Sequence, residues 1–324
     1  MMINIFSDRC SIFMMHRVAP YNKENLVYNE NMKISPAELE GIIQELIKDG
    51  RNFISIDQVA EVSRVSKIEK KSIVFTLDDG YRDNLEYAYP IFKKYNIPFC
   101  IYITNSFPEK TTSLWWYALE KLILQNKSLI ISGRKEKNQT TNQQKKNFLE
   151  IRRQIIDTHF RDPIQFMHSI GDLKFDLAQE IKNKCLSWQQ IKELSMDPLV
   201  TIGCHTANHF PLSKLPENEV RSEMESSKVE IENRIGKSVR HFAFPFGTKR
   251  EASAREYKIA AELGFETVVT AIHGHVVKNE NMHRLNRVFL LPLSDNRTTL
   301  KRIMYWNLKS FYNLLVGKMQ IVKK

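Results

Sequence analysis

Two adjacent carboxylates, Asp78 and Asp79, stand at the end of an apolar run that extends from Ser72 to Leu77. The run is rich in β-branched and aromatic residues, and its length suits a strand that is buried on both faces. Neighbouring carboxylates in such a place repel each other, so the site must either raise the pKa of one of them or supply a cation. The alternative is a solvated turn in which Asp79 and Gly80 serve the backbone geometry alone.

Two histidines, His205 and His209, are four residues apart, and a helical turn would place both imidazoles on one face. With one of the aspartates they form a two-histidine, one-carboxylate set of the kind that binds first-row divalent ions. Three protein ligands leave one coordination position open, which is the arrangement of a catalytic metal. The pair alone is more typical of surface or core histidines than of a metal site, and the strand-end aspartates are what favour a metal site.

The elements that must position these side chains are strands that alternate with helices. A helix is predicted from Ser35, its N-cap, to Gly50, and another over 217–235 before Gly236. Alternation predicts a mostly parallel sheet, and seven or eight strands predict an α/β fold, a (β/α) barrel with its chemistry at the carboxyl ends of the strands. The strand-type runs cover 11–15, 53–56, 72–77, 98–103, 199–204, 242–244, 265–271 and 285–290. The residues at their carboxyl ends include His16, Asp78, Asp79, His205 and the tripeptide 245–247.

The alternation breaks between about 104 and 196, which we interpret as a helical insertion within a single domain over 1–297. Within it, helical patterns begin at Leu114, the polar segment Gly133 to Lys146 is predicted to be an exposed loop, and further helices are predicted over 148–160 and 177–194. The chain ends in a predicted basic, amphipathic helix over 298–324.

Composition limits the partners. The chain has 324 residues and a formal net charge of +11, which favours an anionic partner. Its lysines and arginines are dispersed and accompany no nucleic-acid-binding motif, so we expect no nucleic acid partner. The four scattered cysteines fit reduced thiols, and the first residues lack the apolar core of a signal peptide. A cytoplasmic location is therefore expected.

Three motifs resemble those of the polysaccharide deacetylases, the NodB-homology domains of carbohydrate esterase family 4. The motifs are Thr76-Leu77-Asp78-Asp79-Gly80, His205-Thr206-Ala207-Asn208-His209 and Phe244-Pro245-Phe246-Gly247. The resemblance implies a deformed (β/α) barrel and the metal-dependent removal of an acetyl group, N-acetyl in preference to O-acetyl, from a sugar. The resemblance implies that Asp79, His205 and His209 hold the divalent metal, with zinc as the default, and that Asp78 is the general base. It also implies that the backbone N–H of Phe246 stabilises the oxyanion, and we place Tyr81 with Phe246 among the substrate-binding residues.

Two features depart from that family pattern. The family carries an arginine two residues before the proline of the third motif, whereas this chain has Ala243; Arg287, on the late strand, is our candidate for orienting Asp78 instead. The apolar run that ends in the general-acid histidine normally lies near the C-terminus, but here the match is 12–16, which ends at His16. The chain is therefore similar to the circularly permuted branch that includes the deacetylases of poly-N-acetylglucosamine. In a closed barrel, permutation leaves the position of a strand in space unchanged.

Other interpretations remain open at this point. Ala243 would also fit a non-catalytic glycan-binding protein with a degenerate site, and the aspartate pair alone would fit phosphoryl transfer. The predicted helix 298–324 has an apolar stripe with aromatic and lysine residues, which predicts peripheral contact with the inner membrane of a bacterium; a helix docked on the barrel explains the stripe equally well. The expected substrate is an acetylated saccharide, free or lipid-linked, and the expected pathway is the biosynthesis of a surface polysaccharide.

Overall fold

The computed structural model describes residues 10–22, 24–65, 72–276 and 280–290. The strands of the described part are β1 Ser11–Met15, β2 Arg17–Val18, β3 Lys33–Ile34, β4 Asn52–Phe53, β5 Ser72–Leu77, β6 Phe99–Ile103, β7 Ser128–Ile131, β8 Arg134–Lys137, β9 Val200–Cys204, β10 His241–Ala243, β11 Thr267–His273 and β12 Leu285–Phe289. Its α-helices are α1 Val27–Glu30, α2 Pro36–Lys48, α3 Ile56–Val65, α4 Tyr89–Lys94, α5 Trp115–Gln125, α6 Thr141–Gln154, α7 Pro163–Ile170, α8 Leu177–Lys184, α9 Trp188–Ser195, α10 Glu217–Ile235 and α11 Ala254–Glu262. Single π-helical turns cover Asn84–Ala88 and Ile155–His159, and a 3₁₀ turn covers Leu212–Lys214.

Seven parallel strands close into a barrel in the order β1, β12, β11, β10, β9, β6 and β5, and the ring is complete because β1 also pairs with β5. The predicted (β/α) barrel of about seven strands is confirmed. The barrel is deformed in two places. The β10–β9 contact is reduced to the pair Phe242 and Cys204, and the register between β11 and β12 shifts between Val269 and His273.

Every residue of β1 and β5 is buried, which explains why both sequences are continuous apolar runs. Successive side chains point to opposite faces. Phe13 and Phe75 therefore pack in the outer core with helix residues such as Leu39, whereas Ile12 and Val74 belong to a separate cluster with Tyr102.

Strand β1 lies between β5 and β12 and completes the ring. Its residues pair in register with β5, from Ser11 with Ile73 to Met15 with Leu77, and the backbone N–H of Asp78 donates to the carbonyl of Met15 at 3.0 Å. His16 directly follows β1 and Asp78 directly follows β5, so the two residues lie at the ends of neighbouring strands, as the permuted arrangement requires.

The helix boundaries with clear capping signals were predictable. A capping box of Ser35 and Glu38 starts α2, and Gly236, at φ 71°, ends α10 in the left-handed region that glycine accepts without strain.

Several other predictions about local structure were wrong. The predicted strand 53–56 is only the short β4, because Ile56 already begins α3. The segment 133–146 is not an exposed loop: it contains β8 and the start of α6, and Ser132 and Gly133, both with positive φ, close the β7–β8 hairpin. The predicted helix 148–160 begins earlier, at Thr141, and the predicted helix 177–194 is divided into α8 and α9 by a capping box at Ser187.

The region that we interpreted as an insertion has a core of its own. In it Leu119 and Leu122 of α5 pack with Ile151 of α6, Met167 of α7 and Leu129 of the hairpin. The predicted helix 298–324 lies outside the described residues. Among the residues that are described, no helix is long and apolar enough to cross a membrane.

Candidate active site

Three predicted metal ligands meet at the carboxyl ends of β5 and β9. The Nε2 atoms of His205 and His209 lie 3.4 Å and 3.3 Å from Oδ1 of Asp79. One ligand atom from each residue falls within 4.8 Å of the others, and Asp79 and His205 are buried. Burial alone would raise the pKa of Asp79, but the two neighbouring imidazoles hold the pKa of this carboxyl well below its usual range.

The orientation of His205 fits a metal ligand. Its Nδ1 lies 2.7 Å from the carbonyl oxygen of Ala243, which can only accept, so Nδ1–H donates and the Nε2 lone pair faces Asp79. Oδ1 of Asp79 is buried without a hydrogen-bond partner among the described residues. An unpartnered, acceptor-only carboxylate oxygen beside imidazole nitrogens is the donor set that zinc and other first-row ions take. The residues present therefore fit the divalent metal that the family implies.

The spacing of His205 and His209 suggested a helical turn, but the structure brings the two imidazoles together in another way. Thr206 has φ 68° and His209 has φ 58°, so the chain makes a non-helical bend in which the hydroxyl of Thr206 accepts from the N–H of His209 at 3.0 Å. Asp79 and Phe246 also have positive φ, at 78° and 58°. Backbone strain in non-glycine residues persists where the surroundings enforce it and is concentrated at functional sites.

Asp78 is paired with Arg287 and is not one of the three clustered ligand residues. The guanidinium donates from Nη1 to Oδ1 and from Nη2 to Oδ2 of Asp78, each at 2.7 Å, and both residues are buried. Nε of Arg287 donates to the carbonyl of Thr270 at 2.8 Å, which fixes the guanidinium plane. Burial would raise the pKa of Asp78, but the charge of Arg287 outweighs this and holds the pKa of the carboxyl below its usual range. Asp78 is therefore ionised at neutral pH.

Arg287 thus contacts the residue that we expected it to orient, although it comes from β12, whereas the family's arginine precedes the third motif. Ala243, at the family's arginine position, contributes its carbonyl to His205 instead. Arg287 therefore pairs with Asp78 in a chain whose family arginine position is occupied by Ala243.

His16 lines the same cavity as Asp78, Asp79 and His205. Its ring packs edge-on against Phe289 with 5.8 Å between centroids, and its Nδ1 is buried without a partner among the described residues. Burial lowers the pKa of His16, against the opposing charges of the two aspartates. The imidazole is therefore neutral at pH 7 in the resting protein, whereas a general acid must carry a proton when it acts.

Phe246 lies in a tight turn after β10. The N–H of Gly247 donates to the carbonyl of Pro245 at 2.6 Å, which makes Phe246 the central residue of a φ-positive γ-turn. A side chain at Gly247 would come within 2.6 Å of the backbone nitrogen of Ala271, so this position requires glycine. The ring of Phe246 packs against His209, with 4.9 Å between centroids, and borders the cavity.

The cavity has a volume of about 500 Å³, and helices α5 and α6 form one of its walls. Trp116 lies with its ring 5.5 Å from that of His209, and its indole N–H donates to the hydroxyl of Tyr81 at 2.9 Å. Tyr81, a predicted substrate-binding residue, is therefore a buried cavity residue that holds Trp116 in place. Trp116 lines the cavity, where it can both pack in the wall and contact a sugar.

A buried ion pair behind the site was missed by sequence reasoning. Nε of Arg17 donates to Asp83 at 2.7 Å and Nη1 donates to the hydroxyl of Tyr117 on α5 at 2.9 Å. The neighbouring Asn84 donates to the carbonyl of His16 at 3.0 Å. These contacts fix the backbone that carries His16 and tie α5 to the barrel. The signal was present, since Arg17 adjoins His16 in the sequence.

Comparisons with known proteins agree with this architecture. The polysaccharide deacetylase family model matches residues 66–268. The Bacillus subtilis protein YxkH, named as a candidate polysaccharide deacetylase, is 21% identical over 282 residues, which cover 87% of this chain and 71% of YxkH.

Solved structures share the fold at low sequence identity. The Streptococcus pyogenes deacetylase PplD, solved with acetate, has a TM-score of 0.61 at 19% identity, covering 91% of this chain and 98% of PplD. A de-N-acetylase from Aggregatibacter actinomycetemcomitans has a TM-score of 0.60 at 18% identity, covering 91% and 99%. IcaB from Ammonifex degensii has a TM-score of 0.55 at 18% identity, covering 87% and 92%. With the family model matched over most of the chain and the barrel shared, the chain belongs to the polysaccharide deacetylase family.

Proposed function

We propose that the protein is a hydrolase that removes an acetyl group, N-acetyl in preference to O-acetyl, from a sugar of a surface glycan or its precursor. The observation that supports this most strongly is the pairing of two carboxylates in different environments at one cavity. Asp79 faces two histidines, whereas Asp78 is separately paired with Arg287. Adjacent carboxylates with distinct surroundings can take distinct roles in one reaction.

Asp79, His205 and His209 are the residues that would hold the divalent metal, for which we propose zinc. When bound, such an ion supplies Lewis acidity to an acyl oxygen and lowers the pKa of water. Asp78 is ionised and buried, so it can accept a proton from water as a general base. The backbone N–H of Phe246, in its strained turn, is our candidate donor to the developing oxyanion, and Tyr81 with Trp116 forms the adjoining wall for the sugar.

His16 is our candidate donor of a proton to the departing amine. Because the imidazole is neutral in the resting protein, it must gain that proton during the reaction cycle. Asp78, on the neighbouring strand end, is the group that would take up a proton from water, and in this proposal it is the source of the proton that His16 gains.

His16→Ala is expected to reduce turnover by about 10²-fold, since an amide nitrogen is a poor leaving group without protonation. Metal content and melting temperature should stay close to those of the wild type. Acetate release, elemental analysis and thermal unfolding on a single preparation test this, with His168→Ala, an exposed histidine on α7, as the control. A lower melting temperature at little catalytic cost would instead assign His16 a packing role.

The proposed function is tested by acetate release from a panel of N-acetylhexosamines, free and lipid-linked, with an O-acetylated sugar alongside. Activity should disappear after chelation and return when a divalent ion is added. Binding of saccharides without acetate release from any member of the panel would contradict the proposal and support a glycan-binding protein.

For the location, we propose the cytoplasmic face of the inner membrane, with peripheral attachment through 298–324. The support is the basic, amphipathic pattern of that segment in the sequence. The protein should sediment with anionic lipid vesicles at low salt and less so as salt increases. Truncation after Asn296 should abolish sedimentation and spare activity; a truncated protein that unfolds would show that the segment belongs to the fold.

A further inference from the structure

A cation without a counter-charge faces the candidate active site. Arg152, on α6, lines the cavity together with the metal-site residues. Its guanidinium carbon lies 6.0 Å from the centroid of the Phe246 ring, and that ring also packs against His209. The same aromatic ring therefore contacts both the guanidinium and a proposed metal ligand.

Arg152 has no carboxylate within ion-pairing distance among the residues that the structure describes. Glu251 is the acid that acts on it electrostatically, but the carboxylate of Glu251 accepts a hydrogen bond from Thr248. Arg152 is exposed at the edge of the cavity, and neighbouring protein atoms still lower its pKa by desolvation against the opposing charge of Glu251. The other arginines beside the site differ, since Arg17 is paired with Asp83 and Arg287 with Asp78. An exposed guanidinium without a protein counter-charge at the edge of a cavity is available to pair with an anionic group supplied from outside.

A second unpartnered group lines the same cavity as Arg152. Phe148 precedes Arg152 by four residues on α6, so both project from the same face. The ring of Tyr28 stacks on Phe148, with 4.5 Å between centroids and an interplanar angle of 7°. The hydroxyl of Tyr28 is buried and has no hydrogen-bond partner among the described residues, although Tyr28 lines the cavity. The wall thus offers a guanidinium and a phenol hydroxyl, both of which can donate to an oxyanion.

The net charge of the cavity residues also favours an anionic ligand. Asp78 and Arg287 cancel, and Asp79 would offset only half the charge of a divalent ion. The cavity with its metal would therefore be positive, with Arg152 adding to that charge. A positive cavity attracts anionic ligands.

We propose that the saccharide substrate carries an oxyanion, a phosphate or a carboxylate, that pairs with Arg152 while its acetyl group lies at the Asp79–His205–His209 site. The inference rests on the proposed deacetylase function and adds a substrate class to it. Phe246 then has two roles in one turn, since its backbone faces the reaction and its ring supports the guanidinium. A neutral acetylated sugar would leave Arg152 unpaired and should be a poorer substrate.

The test compares three acetylated sugars: N-acetylglucosamine 1-phosphate, N-acetylmuramic acid and the neutral methyl glycoside of N-acetylglucosamine. Arg152→Gln should lower kcat/KM by roughly 10- to 100-fold for the oxyanion-bearing substrate, as expected for the loss of a charge-assisted hydrogen bond, and leave the neutral glycoside unchanged. The matched control is Arg153→Gln, which removes the neighbouring exposed arginine of the same helix and should change none of the three. An effect limited to the phosphate or to the carboxylate identifies which oxyanion is bound.

An equal loss on all three substrates, or no loss on any, would overturn the proposal. Calorimetric binding of N-acetylglucosamine 1-phosphate and of N-acetylmuramic acid to wild type and Arg152→Gln separates it from the proposed function. If no acetate is released but binding of either is weakened in the variant, the oxyanion site stands and the deacetylase function fails. If the variant binds both as well as the wild type does, the oxyanion site is wrong whatever the catalytic result.

Discussion

Asp78→Asn is expected to reduce turnover by about 10²- to 10⁴-fold while leaving the bound metal in place. An asparagine fits the same space and can still contact Arg287, but it cannot accept a proton from water. The metal should remain because the ligand atoms belong to Asp79, His205 and His209, whose Nε2 and Oδ1 atoms form a separate cluster.

The control for Asp78→Asn is the same substitution at the neighbouring residue, Asp79→Asn. Asp79→Asn should lose metal and activity together, because an amide is a weaker ligand than a carboxylate. Steady-state acetate release and elemental analysis on both variants make the comparison. Near-normal turnover in Asp78→Asn would show that Asp78 is not the base, and loss of metal in that variant would show that the two carboxylates are not separate in function.

Arg287→Met is expected to lower the free energy of unfolding by about 3–5 kcal/mol, because it leaves the buried carboxylate of Asp78 without its partner. Turnover should also fall, since the two 2.7 Å hydrogen bonds that orient Asp78 are lost. Guanidinium denaturation measures the first effect and acetate release the second. Arg284→Met, which removes an exposed arginine from the same segment, should be close to neutral.

A double variant distinguishes a lost ion pair from a lost volume. Adding Asp78→Asn to Arg287→Met removes the unpaired charge, so the double variant should be more stable than Arg287→Met alone. If the destabilisation of the double variant instead equals the sum of the two single effects, Arg287 acts through packing. One such packing contact is with Tyr102, whose ring centroid lies 5.8 Å from the guanidinium carbon of Arg287.

The sequence was informative where one local rule decides the structure. The continuous apolar run of β5 predicted a strand buried on both faces, and Ser35 with Glu38 predicted the start of α2. The grouping of Asp79 with His205 and His209 could also be predicted, because barrel topology places the carboxyl ends of parallel strands at one edge. Arg287 was a candidate only because the family position is occupied by Ala243.

The rest depended on contacts that spacing does not encode. The bend that joins His205 to His209 relies on positive φ at Thr206, which a helical spacing argument cannot anticipate. The β7–β8 hairpin was hidden in a polar segment, because both its strands are short and one of them is largely exposed. Arg152 gave no signal in the sequence, since its importance arises only when α6 packs beside the barrel.

The central claim is that one metal ion at Asp79, His205 and His209 is required for hydrolysis of an acetylated sugar. The direct measurement titrates metal-free protein with zinc and records bound metal and acetate release in the same samples. We predict that activity is absent without metal, increases in proportion to occupancy, and reaches its maximum at about one ion per chain, whereas His209→Ala neither binds the ion tightly nor gains activity. Acetate release that is independent of added metal, or equal metal binding by wild type and His209→Ala, would contradict the account.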